Sequence, residues 1–339
     1  MDRLFPEPTM ATIVIGEADD AILRAVNRMV YMTAAQVGRL LYPDARDENR
    51  YVQRRLRRLA EADYLLRLRE LPTPRIGSAP HVFTLADQGR RYLTSRGIPL
   101  TSPYYRPSEE RQKARDNPFM EHSLAAVDVL VAAEALCRDY LVTMPRLITE
   151  RQIKRSPVRV RPLGRPEAPR VAVIPDAWFE LTVQDESFYI ALEVDRSTEG
   201  QKHWRRKVAA LSAWAEGPYR GAFQADNLTV AVTVPTVARR IQLSEWTHEE
   251  LSDVGRSELA DIFVFTDASS VETEPSQLFF DHLWYPAGSA SPVGLLDVPA
   301  PVEVVPEDAA GPVDDNTAAH AEDEEFAWAL MDDEEGVGH

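Results

Sequence analysis

Residues 171–195 read VAVIPDAWFELTVQDESFYIALEVD, from Val171 to Asp195, and the folding of this stretch decides the rest. In its second half Phe188, Ile190, Leu192 and Val194 alternate with Tyr189, Ala191, Glu193 and Asp195. A period of two marks a strand over 187–195, with Glu193 and Asp195 on one face. Residues 171–183 read as the strand before it. If Gln184-Asp185 is a two-residue hairpin turn, residue 183 pairs with 186, paired positions sum to 369, and Asp176 stands opposite Glu193. A four-residue loop keeps that sum or raises it to 371, which sets Asp176 against Asp195. Either register gathers three carboxylates on one patch, directly opposed Cβ atoms being about 4.5–5.5 Å apart. Like charges that close cost stability unless a proton or a cation is shared. A hard divalent cation, Mg²⁺ or Mn²⁺, held by Asp176, Glu193 and Asp195, is the natural neutraliser.

Downstream, 199–215 reads as a helix with Thr198 and Gln201 as a capping box. Its core side is Trp204, Val208 and Leu211, and Lys207 lies at the edge of that side, within reach of the carboxylates. Acids around a metal with a lysine beside them suit phosphodiester hydrolysis, with Asp176, Glu193, Asp195 and Lys207 as the catalytic set. The same residues also read as plain ion pairs, Asp195 with Arg196 and Glu193 with Lys207. Residues 228–234 form a short apolar strand, 243–254 a helix, and 261–266 and 278–284 further strands. Upstream, 119–139 has a helical pattern through Leu124, Val127, Val131 and Leu136; 141–154 is strand-like; 155–170, rich in Arg and Pro, reads as a loop. The order is αβββαβ with a mixed sheet.

The first hundred residues read differently. A helix runs from Asp19-Asp20 to about Met32. Thr33 caps a second, 34–41, and a third spans 47–62 with Val52, Leu56 and Leu59 on its apolar side. At 100° per residue Arg50, Arg54 and Arg57 fall opposite that side, with Arg58 at its edge. Residues 64–70 and 81–85 make a β-hairpin with a long tip, and 87–95 a closing helix. Three helices, a hairpin and a helix is the order of a winged helix-turn-helix. An arginine-bearing helix fits the major groove of duplex DNA, with Arg67, Arg69 and Arg75 on the wing reaching adjacent backbone. A merely solvated arginine face, or a protein contact, is the alternative.

The net charge of −16 is unevenly spread. Residues 297–339 hold 14 acids and no Lys or Arg, which leaves 40 acids and 38 bases in 1–296; residues 46–96 hold 12 Arg and 6 acids. The local count therefore permits a nucleic-acid partner that the whole-chain balance would argue against. No apolar run reaches a membrane span; the best, 124–137, is broken by Asp128 and Glu134. One cysteine, Cys137, and no leader pattern point to a cytoplasmic protein without a membrane partner.

Val173-Ile174-Pro175-Asp176-Ala177, then Leu192-Glu193-Val194-Asp195-Arg196-Ser197-Thr198-Glu199, the Lys207 helix and the Asn117-Pro118-Phe119-Met120-Glu121-His122 helix start resemble the replication-relaxation family over roughly residues 25–290. That family is encoded mainly on bacterial plasmids and other mobile elements, and the resemblance implies a role in plasmid replication or maintenance. The Pro-Asp and Glu-x-Asp pieces also resemble the PD-(D/E)xK nuclease superfamily, with Asp195 where its lysine usually stands; Lys207 or Lys202 would then supply the cation. If an enzyme, the chain is a metal-dependent DNA phosphodiesterase; otherwise its nuclease-like domain binds without cutting.

The expected α/β (α+β) chain thus has a flexible start (1–16), a winged helix (17–97), a linker (98–117), a restriction-endonuclease-like domain (118–290) and a disordered acidic tail (291–339). Segment 322–333, with Phe326 and Leu330 amid acids, reads as a docking site for a replication or transfer protein. Double-stranded DNA is the main expected partner, and a homodimer is left open.

Overall fold

A computed structural model of the chain describes residues 13–43, 48–69, 81–102, 106–110, 117–197 and 199–301. The expected docking segment, most of the acidic tail, Arg75 and the side chain of Arg69 lie outside the described residues. What is described falls within one compact unit that extends to Val304.

The chain opens with α1 (Glu17–Met29), β1 (Met32–Thr33), α2 (Ala34–Leu41) and α3 (Glu48–Glu61). Thr33 caps α2: its hydroxyl accepts from the Gln36 amide, and Gln36 Oε1 accepts from the Thr33 amide. Then come β2 (Leu65–Arg69), β3 (His81–Leu85) and α4 (Asp87–Ser95). The three strands form an antiparallel sheet in the order β1-β3-β2.

The second part begins with α5 (Asn117–Asp139), β4 (Val142–Thr149) and the short α6 (Glu150–Ile153). The stretch expected to be a loop holds β5 (Val158–Val160), which pairs antiparallel with β6 (Val171–Val173) as a separate ribbon. The expected single strand over 171–183 is broken at Ile174-Pro175-Asp176. Proline offers no amide to a ladder, so the chain changes sheets there. It resumes as β7 (Ala177–Val183) and returns as β8 (Glu186–Val194). Gln184 and Asp185 both have positive φ, 48° and 70°, and make the two-residue turn that pairs Val183 with Glu186.

Next are α7 (Gln201–Glu216), α8 (Tyr219–Phe223), β9 (Thr229–Thr233), α9 (Val237–Asp253) and β10 (Phe263–Thr266). The N-cap of α7 is Gly200, and the expected capping residue Thr198 lies outside the described residues. Thr236, whose hydroxyl accepts from the Arg239 amide, starts α9 six residues ahead of the expected helix. The expected strand over 278–284 is instead α10 (Pro275–Phe280), with proline in its first turn, followed by β11 (Tyr285–Pro286).

The main sheet is mixed, in the order β11-β10-β9-β8-β7-β4, with β8, β9 and β10 parallel. Ile190, Leu192 and Val194 of β8 face one core with Val127, Val131 and Leu136 of α5, a core shared with Ile22, Val52 and Leu56 of the N-terminal helices. Ala191 faces the other, with Trp204, Val208 and Leu211 of α7 and Leu243 of α9. Asp128 and Glu134, which interrupt the apolar run of α5, meet the N-terminal helices. Asp128 accepts from Gln36 (3.0 Å) and pairs with Arg39, and Glu134 pairs with Arg28 (2.5 Å).

Candidate functional site

Two surfaces gather the charged side chains of interest. The first is α3. Val52, Leu56 and Leu59 are fully buried, each worth about 1.5–3 kcal/mol in area removed from water. That burial fixes the rotation of the helix and turns Arg50, Arg54, Arg57 and Arg58 to solvent. Arg54 lies 5.9 Å from the Tyr51 ring, Arg57 pairs with Glu61 (2.9 Å), and Arg58 donates to the Val14 carbonyl (2.9 Å). Arg55 turns inward to buried Asp19 (2.9 Å). Arg67 is exposed on β2.

The second lies where β7 begins and β8 ends. The register Ala177↔Leu192 sets Asp176 one step further on, level with Glu193, and the Asp176 amide donates to Leu192 O (2.9 Å). Asp176 Oδ2 accepts from the Val194 amide (2.8 Å), and Oδ1 meets His122 Nε2 at 2.7 Å, delivered by the first turns of α5. Glu193 is almost wholly buried, and Lys207 Nζ of α7 lies 2.7 Å from its Oε2 and 3.1 Å from Glu199 Oε1. Asp176, Glu193 and Lys207 therefore converge, together with His122 and Glu199.

Asp195 goes elsewhere. It is held by the fork of Arg239, Nε to Oδ2 at 2.7 Å and Nη2 to Oδ1 at 2.9 Å, and both side chains are buried. Ser197, at φ 62°, turns its amide back to Asp195 Oδ2 (2.8 Å). Arg196, the expected partner of Asp195, pairs with Glu121 instead.

The charges follow from this packing. Burial pushes the Glu193 carboxyl up to about 8, against the pull of Lys207 and with a further push from Asp176. Burial opposes the Lys207 ammonium, yet Glu193, Glu199 and Asp176 outweigh it and hold its pKa above the ordinary lysine value. The hydrogen bond to Asp176 raises His122 against its own desolvation.

Asp195 stands apart from the other two acids of the expected three-carboxylate cation site. Both Asp195 oxygens are taken by Arg239, those of Asp176 by His122 and the Val194 amide, and Glu193 faces an ammonium. Among the described residues no group of three or more His, Cys, Asp or Glu side chains is placed to hold a metal ion. Two cations of the chain itself stand among these acids, Lys207 beside Glu193 and Glu199 and Arg239 on Asp195.

A family model described as replication-relaxation matches residues 23–225, more than half of the chain. The chain belongs to the replication-relaxation family. No curated protein and no solved structure gives a match. The replication-relaxation match takes in α3, the β5–β6 ribbon, His122, Asp176, Glu193, Asp195, Glu199 and Lys207, and stops short of Arg239. Membership links the chain to replication and mobile-element processes. No helix among the described residues is long and apolar enough to cross a membrane.

Proposed function

We propose that this protein binds duplex DNA in the replication or maintenance of a plasmid or other mobile element, and that its N-terminal part is a winged helix reading the major groove with α3. The observation that carries this is a set of four exposed arginines, Arg50, Arg54 and Arg57 opposite the buried Val52, Leu56 and Leu59, and Arg58 at the edge of that side. The antiparallel β2–β3 pair after α3, with Arg67 outward, is where a wing would lie. Phosphate contacts release counterions, so each lost contact flattens the salt dependence by about 0.9 in log–log slope. Arg54→Ala with Arg57→Ala should weaken binding of a labelled duplex by about tenfold or more and reduce the slope by about 2. Anisotropy titrations across a salt series check this, and unchanged affinity and slope would exclude α3 as the reading helix.

Cleavage of DNA at the Asp176–Glu193–Lys207 patch is a second reading. It is favoured by the convergence of two acids from adjacent strands with a lysine from the following helix, in a PD-(D/E)xK-like order. If it is right, the protein nicks supercoiled plasmid in the presence of Mg²⁺ or Mn²⁺ and Asp176→Ala abolishes nicking. Absence of nicking with either ion, or equal nicking by the variant, removes the reading and leaves the patch as a folded, non-cutting platform.

A further inference from the structure

Residues 155–170 carry five arginines and one acid, and the α3 reading makes no use of them. Two of the five are anchors: Arg155 donates to the Thr101 carbonyl (2.6 Å) and Arg165 pairs with buried Glu250 (2.5 Å). The side chains of the other three, Arg159, Arg161 and Arg170, are exposed and form no ion pair or hydrogen bond among the described residues. They line a groove of about 430 Å³ with Val160, Ala213 and Pro218.

The platform under them is built. Val160 and Val173 are buried in the core beneath the ribbon, and the Leu163 amide donates to Ala209 O of α7 (2.9 Å). Gly164 has φ +68°, and a Cβ there would stand 2.4 Å from Val254 Cγ1, so only glycine lets the loop seat against α9. The ribbon register ends at Val160↔Val171, with Arg161 and Arg170 one step beyond on facing chains. Like charges in that relation cost stability unless an anion lies between them. Arg159 and Arg161, two residues apart, repeat at about 6.6 Å if the strand stays extended, close to the spacing of successive phosphates.

We infer that the β5–β6 ribbon is a second nucleic-acid contact, a groove that takes a phosphodiester backbone through Arg159, Arg161 and Arg170. Guanidinium forks suit phosphate oxygens in pairs, and a wall of Ala213 and Pro218 lets a backbone approach closely. The inference goes beyond the α3 reading and does not depend on it.

The test uses full-length protein, a labelled random-sequence duplex and a labelled thymidine homopolymer. Replacing Arg159, Arg161 and Arg170 by alanine should weaken binding at least about tenfold. Three lost contacts lower the slope by about 2.7 if the groove holds duplex and about 2.1 if it holds single strand. The corresponding triple lysine variant should keep the slope. Unchanged affinity and slope on both nucleic acids would overturn the inference. So would a fall in slope for the lysine variant equal to that of the alanine variant. The Arg54→Ala, Arg57→Ala variant is titrated alongside, so a failure of α3 and a failure of the ribbon appear in different rows of the same experiment.

Discussion

Arg239→Ala should cost about 3–5 kcal/mol of folding stability, the usual result of removing one partner from a buried ion pair. The variant leaves Asp195 buried with only the Ser197 amide to oppose its charge. It also removes the Nη2 bond to Glu199 O (2.6 Å), the Nη1 bond to Gln242 (2.6 Å) and the guanidinium over the Trp246 ring. Arg239→Lys keeps the charge and loses the fork, and should fall between the two. Urea unfolding of the three proteins measures it, and a loss under about 1 kcal/mol for the alanine variant would mean that Asp195 does not need its clamp. The same variant probes the metal question: if Asp195 were a cation ligand, freeing it from Arg239 would let millimolar Mn²⁺ restore stability. The geometry predicts no restoration, because Asp176 and Glu193 keep their own partners.

The parts of this arrangement readable in advance were those governed by local periodicity. The Gln184-Asp185 turn was one of two connections that the local pattern allowed, and it is the one that brings Asp176 level with Glu193. Helical phase placed Lys207 at the edge of the α7 core face and the four arginines outside on α3. What escaped came from far along the chain or broke the usual patterns. Arg239 reaches Asp195 across 44 residues. Its helix was disguised at its start because Val237 and Ile241 are exposed, so the apolar period there does not point at the core. Thr236 after Pro235 was the cue that would have extended α9 to it. His122 had only its place in the motif-bearing start of α5 to distinguish it. Leu278-Phe279-Phe280 reads as strand because three apolar residues in a row have no helical phase, and Pro275 was the counter-signal. The Asp195 alternation was correct as geometry, since Asp195 and Glu193 both point toward the α7–α9 layer. Period alone could not say that each would meet a different cation.

Lys207→Met should produce a destabilisation that grows with pH, and the reason lies in Glu193. In the wild type, burial already lifts this carboxyl to about 8 from an ordinary value of 4.5. A raised folded-state pKa contributes stability that is complete below the unfolded value and lost as pH climbs to the folded one. Without the ammonium, burial acts unopposed and the Glu193 pKa climbs further. Up to about pH 8 the two proteins lose stability in parallel, because in both the folded carboxyl holds a proton that the unfolded chain has released. Beyond that point the wild type levels off, its ionised Glu193 being held by Lys207. The variant goes on losing about 1.4 kcal/mol per pH unit until its own pKa is passed. Adding Glu193→Gln to Lys207→Met removes the titrating group, so the double variant should follow no such slope. Denaturant midpoints at a series of pH values from 5 to 9.5 give the three profiles. A Lys207→Met curve that stays parallel to the wild type across the alkaline limb would show that Glu193 and Lys207 do not share a charge, and the patch would then need a different account of how its acids are kept together.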